Sequence, residues 1–290
     1  MPNLDDNRMS ATSPIFIGGM YKSGTSLLRA LIGQHRDIAS DLETYWFDLD
    51  GADPDAPETR EAIARWARFF DRDSDELLQL YRHASSIRDV LDDLLGTVAR
   101  RMGKKRWAEK TPSNIVHVPR ILELWPDARI LHIVRDPRDI FASLVRADKW
   151  STAQEFGERW TTMLGAAEKL SPCQNRSVLE IVYERLVLDT EAQMREVIEF
   201  LGAQWDPAAS VFQGKNDDFQ RVLEVTGKSS TTLQQLSQPL TDARIGLWHQ
   251  TLSDDQLLSI REYARRSGLG STMQRIENAC ETAIAEAGSK

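Results

Sequence analysis

The sequence predicts an α/β fold, and three stretches predict it. Residues 14–33 pass from a short apolar run (Ile15, Phe16, Ile17) through Gly18-Gly19 to apolar residues at 27, 28, 31 and 32, which is helical spacing. Residues 128–134, ARILHIV, are the strongest strand pattern in the chain and run into Arg135-Asp-Pro-Arg138-Asp139 and a second helical pattern. The intervening stretches carry amphipathic helices, and strands alternating with helices build a parallel sheet.

Taken in order, the first strand ends at Gly18 and Gly19, where the backbone turns and a Cβ would clash. Tyr21-Lys22-Ser23-Gly24-Thr25-Ser26 follows, at the start of a helix that should end near His35. Strand, glycine turn and helix start together make a backbone anion nest at the positive end of a helix dipole. Lys22 adds a full positive charge, and Ser23, Thr25 and Ser26 add hydroxyls. A bare turn has no use for a lysine between Gly19 and Gly24, so the loop is expected to bind phosphate. The NTPase pattern G-x-x-x-x-G-K-[ST] puts its lysine directly after the second glycine. Here Thr25 follows Gly24 and the lysine is at 22, which disfavours a kinase or NTPase without removing it.

Residues 37–47 mix carboxylates with Tyr45, Trp46 and Phe47. Acids beside aromatics suit an acceptor pocket, since burial raises a carboxyl toward working pH. Ile63, Trp66, Ala67 and Phe70 share one helical face over 59–70, and further amphipathic helices fit 75–83 and 87–101. This helical insertion, 57–102, can wall a substrate cleft. A strand should end near Ala108, bringing Glu109-Lys110-Thr111 to the sheet's carboxyl end, where ligands bind in open α/β sheets. Lys104, Lys105 and Arg106 read as a solvated loop, and Glu109 as the ion-pair partner or orienter of Lys110. A helix is expected at 115–125.

After the 128–134 strand, Asp136 or Asp139 can cap the next helix, with Ser143 one turn in. Arg135 and Arg138 at that helix start form a second candidate anion site, because a guanidinium fork suits phosphate. The pattern continues as a helix at 152–170, a fourth strand at 177–182 and a helix at 190–201 closed by Gly202. Residues 214–235 are polar and irregular, suiting a lid within a cofactor region of 214–250, and the last forty residues look helical.

Bulk properties narrow the class. The 290 residues carry 36 basic and 44 acidic side chains, a net charge of −8, which argues against nucleic-acid or anionic-membrane binding. Any anionic ligand must then be held by local clusters. Cys173 and Cys280 show no metal spacing and read as two buried thiols of a reducing compartment. Residues 1–13 read as a disordered tail before a single domain at 14–290. No run reaches membrane length, so a cytoplasmic protein without an anchor is expected.

Lys22-Ser-Gly-Thr-Ser, Glu109-Lys-Thr-Pro and Ile133-Val-Arg-Asp-Pro-Arg138…Ser143 together resemble the bacterial and tyrosylprotein-like branch of the sulfotransferases that use 3′-phosphoadenylyl sulfate (PAPS). The resemblance covers most of residues 14–255. It implies a P-loop-like three-layer sandwich, with helices flanking a central parallel sheet of about four to five strands. It implies that Lys22, Ser23, Gly24, Thr25 and Ser26 hold the 5′-phosphosulfate and that Arg135 and Ser143 hold the 3′-phosphate. It places Lys110 on the phosphosulfate, Tyr183 of a Y-E-x-L segment near the nucleotide, and Glu43 of Glu43-Thr44 as the catalytic base. Arg244-Ile-Gly246-Leu-Trp248 resembles the family's G-x-W segment. The chain departs from the cytosolic aryl and steroid enzymes at Pro112, where they carry a histidine.

The expected reaction is in-line transfer of a sulfuryl group from PAPS to an acceptor hydroxyl or amine, leaving adenosine 3′,5′-bisphosphate (PAP). Lys22 and Lys110 would stabilise the leaving phosphate oxygen, Glu43 would take the acceptor's proton, and no metal is required. The acceptor class stays open among small molecules, glycans and peptides, and so does a homodimer. A P-loop kinase and a non-catalytic nucleotide-binding module are the rival readings.

Overall fold

The computed structural model describes residues 13–150, 152–212, 214, 222–224 and 236–289. Five strands, β1 (Ile15–Gly19), β2 (Ile38–Ser40), β3 (Arg106–Lys110), β4 (Arg129–Val134) and β5 (Val178–Val182), form one sheet. Every pairing is parallel and the order is β2-β3-β1-β4-β5. Strand β1 lies between β3 and β4 and is covered on both faces, which is why it reads as an unbroken apolar run.

Side-chain alternation sorts the core into two layers. Ile15 and Ile17 face helix α1 (Thr25–Gly33) and pack with Leu28, Leu31 and Ile198. Phe16 faces the opposite way, its ring centroid 5.5 Å from that of Trp107 and 5.1 Å from that of Trp125. That second layer is completed by α2 (Pro57–Phe70), α3 (Ser74–His83) and α4 (Ile87–Arg101), the helical insertion. The expected three-layer α/β sandwich is therefore present, with its fifth strand in β2. Three residues, Ile38-Ala39-Ser40, are too short a run to show a strand period.

Other expectations need correcting. Arg106 is not solvated: it opens β3 with its guanidinium buried, donating to the carbonyls of Ser13 (3.0 Å) and Leu201 (2.7 Å). Cys173 is exposed, while Cys280 is buried as expected. The helix expected at 115–125 is α5 (Val118–Leu124) only, preceded by a 3₁₀ turn at Pro112–His117. Pro119 explains the offset, since its ring and missing N–H favour the first turn of a new helix. The tail at 1–12 and most of the lid at 215–235 lie outside the described residues.

His132 lies in β4 with 2% of its surface exposed. Burial lowers its pKa from 6.5 to about 4, despite the attraction of Glu180. The native imidazole stays neutral where the unfolded one takes a proton, so stability falls as pH drops from about 6.5 toward 4. The expected loss is up to about 3 kcal/mol. Urea midpoints at pH 7 and pH 5 would show it, and His132→Leu should flatten that part of the dependence. An unchanged dependence in the variant would remove His132 as its cause.

Candidate active site

The turn after β1 and the turn after β4 lie side by side at the carboxyl end of the sheet, where the strand order reverses. Two glycines make the first turn. A Cβ on Gly19 would meet the Ile133 carbonyl at 2.3 Å, and one on Gly24 (φ 104°) would meet the Tyr183 ring at 2.5 Å. Lys22 between them also has a left-handed backbone, φ 69°. Thr25 opens α1 with no acid in its first turn and no side-chain cap. The loop thus presents a helix start that favours an anion.

A cavity of about 680 Å³ opens over these turns. It brings together Lys22, Gly24, Thr25, Ser26, Glu43, Lys110, Arg135, Ser143 and Tyr183. Ser23 is the exception among the expected residues. Its side chain is fully buried toward the sheet, its hydroxyl has no hydrogen-bond partner, and it does not line the cavity. Glu43 is the one carboxylate among the described lining residues. Asp37 instead pairs with Lys105, and Asp41 and Asp48 do not line the cavity.

One end of the cavity is strongly cationic. Burial lowers the pKa of Lys22, and the nearby charges of Lys149, Arg244 and Arg135 lower it further. Arg135 donates to the carbonyls of Lys22 (2.9 Å) and Arg244 (2.5 Å), and its guanidinium lies 4.5 Å from the centre of the Tyr183 ring. Tyr183 is itself buried, with its phenol pKa raised by that burial, so it supports both Gly24 and Arg135. Asp136, rather than Asp139, caps helix α6 (Pro137–Arg146) by accepting from the Arg138 amide. Asp139 accepts from the amides of Gly246 (2.9 Å) and Trp248 (3.0 Å), clasping the segment that carries Arg244. Arg138 does not reach the cavity. Its guanidinium is held by Asp136 (2.7 Å) and Glu281 (3.0 Å) over the Trp248 ring, so the second anion loop has one arginine, not two.

The other end carries the acid. Glu43 accepts from the Lys110 ammonium on one carboxylate oxygen and from the Tyr45 hydroxyl on the other. Lys110 also donates to the Ser26 hydroxyl at 3.2 Å, which ties this end to the phosphate loop. Burial pushes the Glu43 carboxyl up, but the charge of Lys110 and the Lys110 and Tyr45 hydrogen bonds outweigh it and hold the pKa below the usual range. The aromatic neighbourhood therefore does not raise this acid, contrary to expectation. Of the three aromatics only Tyr45 lines the cavity; Trp46 is core and Phe47 stacks on His117.

Glu109 is not the partner of Lys110. Successive residues of a strand face opposite ways, so Lys110 points to the cavity and Glu109 away from it. The buried Glu109 carboxylate accepts from the Thr44 amide (3.1 Å) and hydroxyl (2.9 Å), the Thr111 hydroxyl (2.7 Å) and the Asn114 amide (2.6 Å). The Thr44 carbonyl accepts from Trp66 of α2 at 2.7 Å. Thr44 is thus fixed from both sides, and its neighbours Glu43 and Tyr45 are presented to the cavity. Arg29, Arg65, Lys149 and Arg244 also line it and escaped sequence reading. Arg244 lay within a segment already singled out, whereas nothing in the pattern of α2 distinguishes Arg65 from its solvent-facing neighbours.

The fold is a parallel α/β sheet with two cationic turns over one cleft, and Glu43 is the one carboxylate among the described residues that line it. The Sulfotransferase family model matches residues 14–207, and the chain belongs to that family. It is 28% identical over 211 residues to protein-tyrosine sulfotransferase A of Caenorhabditis elegans, covering 69% of this chain and 53% of the relative. Identity to the Drosophila melanogaster protein-tyrosine sulfotransferase is 25% over 207 residues, 67% of this chain and 39% of the relative. The chain thus spans about half the length of the curated relatives it matches. In fold it resembles the sulfotransferase domain of the Synechococcus PCC 7002 olefin synthase, with a TM-score of 0.61 at 18% identity over 90% of this chain and 96% of that one. The sulfotransferase domain of the curacin biosynthetic pathway gives the same TM-score at 17% identity, covering 88% and 97%. Among the described residues no helix is long and apolar enough to cross a membrane, and no His, Cys, Asp and Glu cluster could hold a metal ion.

Proposed function

We propose that the chain transfers a sulfuryl group from PAPS to an acceptor hydroxyl or amine, with Glu43 as the base and Lys22 and Lys110 as the cationic clamp. The observation that carries this reading is that Glu43 and Lys110 touch each other and, through Ser26, the phosphate loop. The crowded charges of Lys22, Arg135, Lys149 and Arg244 fit a donor with phosphates at both ends. Bound PAPS supplies the sulfuryl group and a phosphate leaving group. Thr25, Ser26 and the helix-start amides would hold the 5′ side, and Arg135 and Ser143 the 3′ side. Lys22 and Lys110 oppose the charge that builds on the leaving oxygen. Glu43, kept ionised by Lys110, takes the acceptor's proton.

Membership of the sulfotransferase family leaves the kinase reading without support. The acceptor is a small molecule, glycan or peptide, and two free thiols suit a cytoplasmic setting. Screening candidate acceptors with PAPS by mass spectrometry tests the reaction: the product gains about 80 Da, one sulfuryl group. Donor selectivity has its own measurement. PAP with a chelator should raise the melting temperature by mass action on the native state, clearly more than ATP with Mg²⁺. Equal or greater stabilisation by ATP and Mg²⁺ would restore the kinase reading.

A further inference from the structure

We infer that Tyr45 is a positioning residue for the base, holding the Glu43 carboxylate aimed into the cleft through its phenolic hydroxyl; this rests on the reading of Glu43 as the base. Tyr45 lines the cavity and donates to the Glu43 oxygen that Lys110 leaves open. Its backbone has φ 54°, a conformation that costs free energy for a residue with a Cβ and persists where surrounding contacts over-determine it. Those contacts are present. Its amide donates to the Thr111 hydroxyl at 3.3 Å, and the preceding Thr44 is fixed by Glu109 and Trp66. The Arg65 guanidinium lies 5.8 Å from the ring centre, so the ring is held from the insertion side as well.

The charged and titratable groups that face Glu43 are Lys110 from β3, Arg29 from α1, Tyr21 from the turn after β1, and Tyr45 itself, with Arg65 acting on Tyr45. The Tyr45 phenol is raised above its usual value by burial and by Glu43, so it remains a hydrogen-bond donor throughout the working pH range. A donor to the charged form of an acid lowers that acid's pKa. Tyr45 therefore acts with Lys110 against the desolvation that raises the Glu43 carboxyl.

Tyr45→Phe keeps the ring and removes the hydroxyl. Single-turnover rates against pH, with PAPS and an acceptor from the mass-spectrometric screen, should show the acidic limb moving up by about one to two pH units, the worth of one hydrogen bond to a carboxylate. PAP affinity should stay within a few-fold. An unmoved limb overturns the inference. So does a rate that rises at every pH, which would mean that the hydroxyl competes with the acceptor for Glu43. A double-mutant cycle supplies the second measurement. In a Glu43→Gln background, Tyr45→Phe should have no further effect, and additive losses would show a role independent of the base. If Glu43→Gln alone keeps wild-type turnover, the reading of the base fails first, and the two failures are told apart.

Discussion

Glu43→Gln is expected to slow the chemical step by about 10²–10⁴ while leaving PAP binding nearly unchanged, the usual signature of a removed general base. Both carboxylate oxygens are engaged, one by Lys110 and one by Tyr45. The amide keeps one acceptor oxygen for the ammonium and loses the negative charge. Lys110 then faces the cleft without a counter-charge, which should not weaken an anionic donor. Rapid-mixing single-turnover rates isolate the step from product release. Turnover within a few-fold of wild type would end the assignment. The obvious rivals fare poorly, because Asp41 and Asp48 do not line the cavity. Loss of nucleotide binding in the variant would instead make Glu43 a structural residue.

Arg135→Ala is expected to weaken PAP binding ten- to hundred-fold, and binding of an analogue lacking the 3′-phosphate by only a few-fold. The larger loss corresponds to a charged hydrogen-bond pair of on the order of 1.5–3 kcal/mol. The smaller loss arises because Arg135 also braces the loop, donating to the carbonyls of Lys22 and Arg244. Ser143→Ala should separate the two roles. Ser143 lines the cavity nearly two turns into α6, and its substitution should affect only the ligand that carries the 3′-phosphate. Calorimetric titration of both ligands into both variants decides the matter. Equal losses for the two ligands in Arg135→Ala would leave Arg135 as a brace alone.

Much of this was legible in the sequence, for physical reasons that can be named. Strand β1 and most of β4 are buried on both faces, so they show as mainly apolar runs, and the turns that follow them carry the cationic residues of the cleft. Amphipathic helices of the insertion end within a residue or two of their expected bounds. What stayed hidden depends on direction. Glu109 and Lys110 are neighbours in sequence, yet strand alternation sends one into the core and the other into the cleft. Arg135 and Arg138 look like a pair, but Asp136 and Glu281 draw Arg138 to the far side of α6. The pKa of Glu43 also could not be read from its aromatic neighbours, because its strongest partner lies 67 residues away in Lys110.

The Trp66–Thr44 hydrogen bond has a consequence for how this chain can change. Helix α2 supplies Arg65 and Phe69 to the cleft, and Trp66 of the same helix ties it to the loop after β2 that carries Glu43. The two cationic turns come from a different part of the chain, fixed by β1, β4 and α6. On the proposed reading, a lineage or a combinatorial library can therefore vary the cleft-facing residues of 57–101 to accept new molecules while those turns stay unchanged. Trp66 marks the limit of that freedom: on the same reading, variation that spares it retunes the acceptor, and variation that removes it releases Thr44 and loosens the neighbouring Glu43 for every acceptor alike.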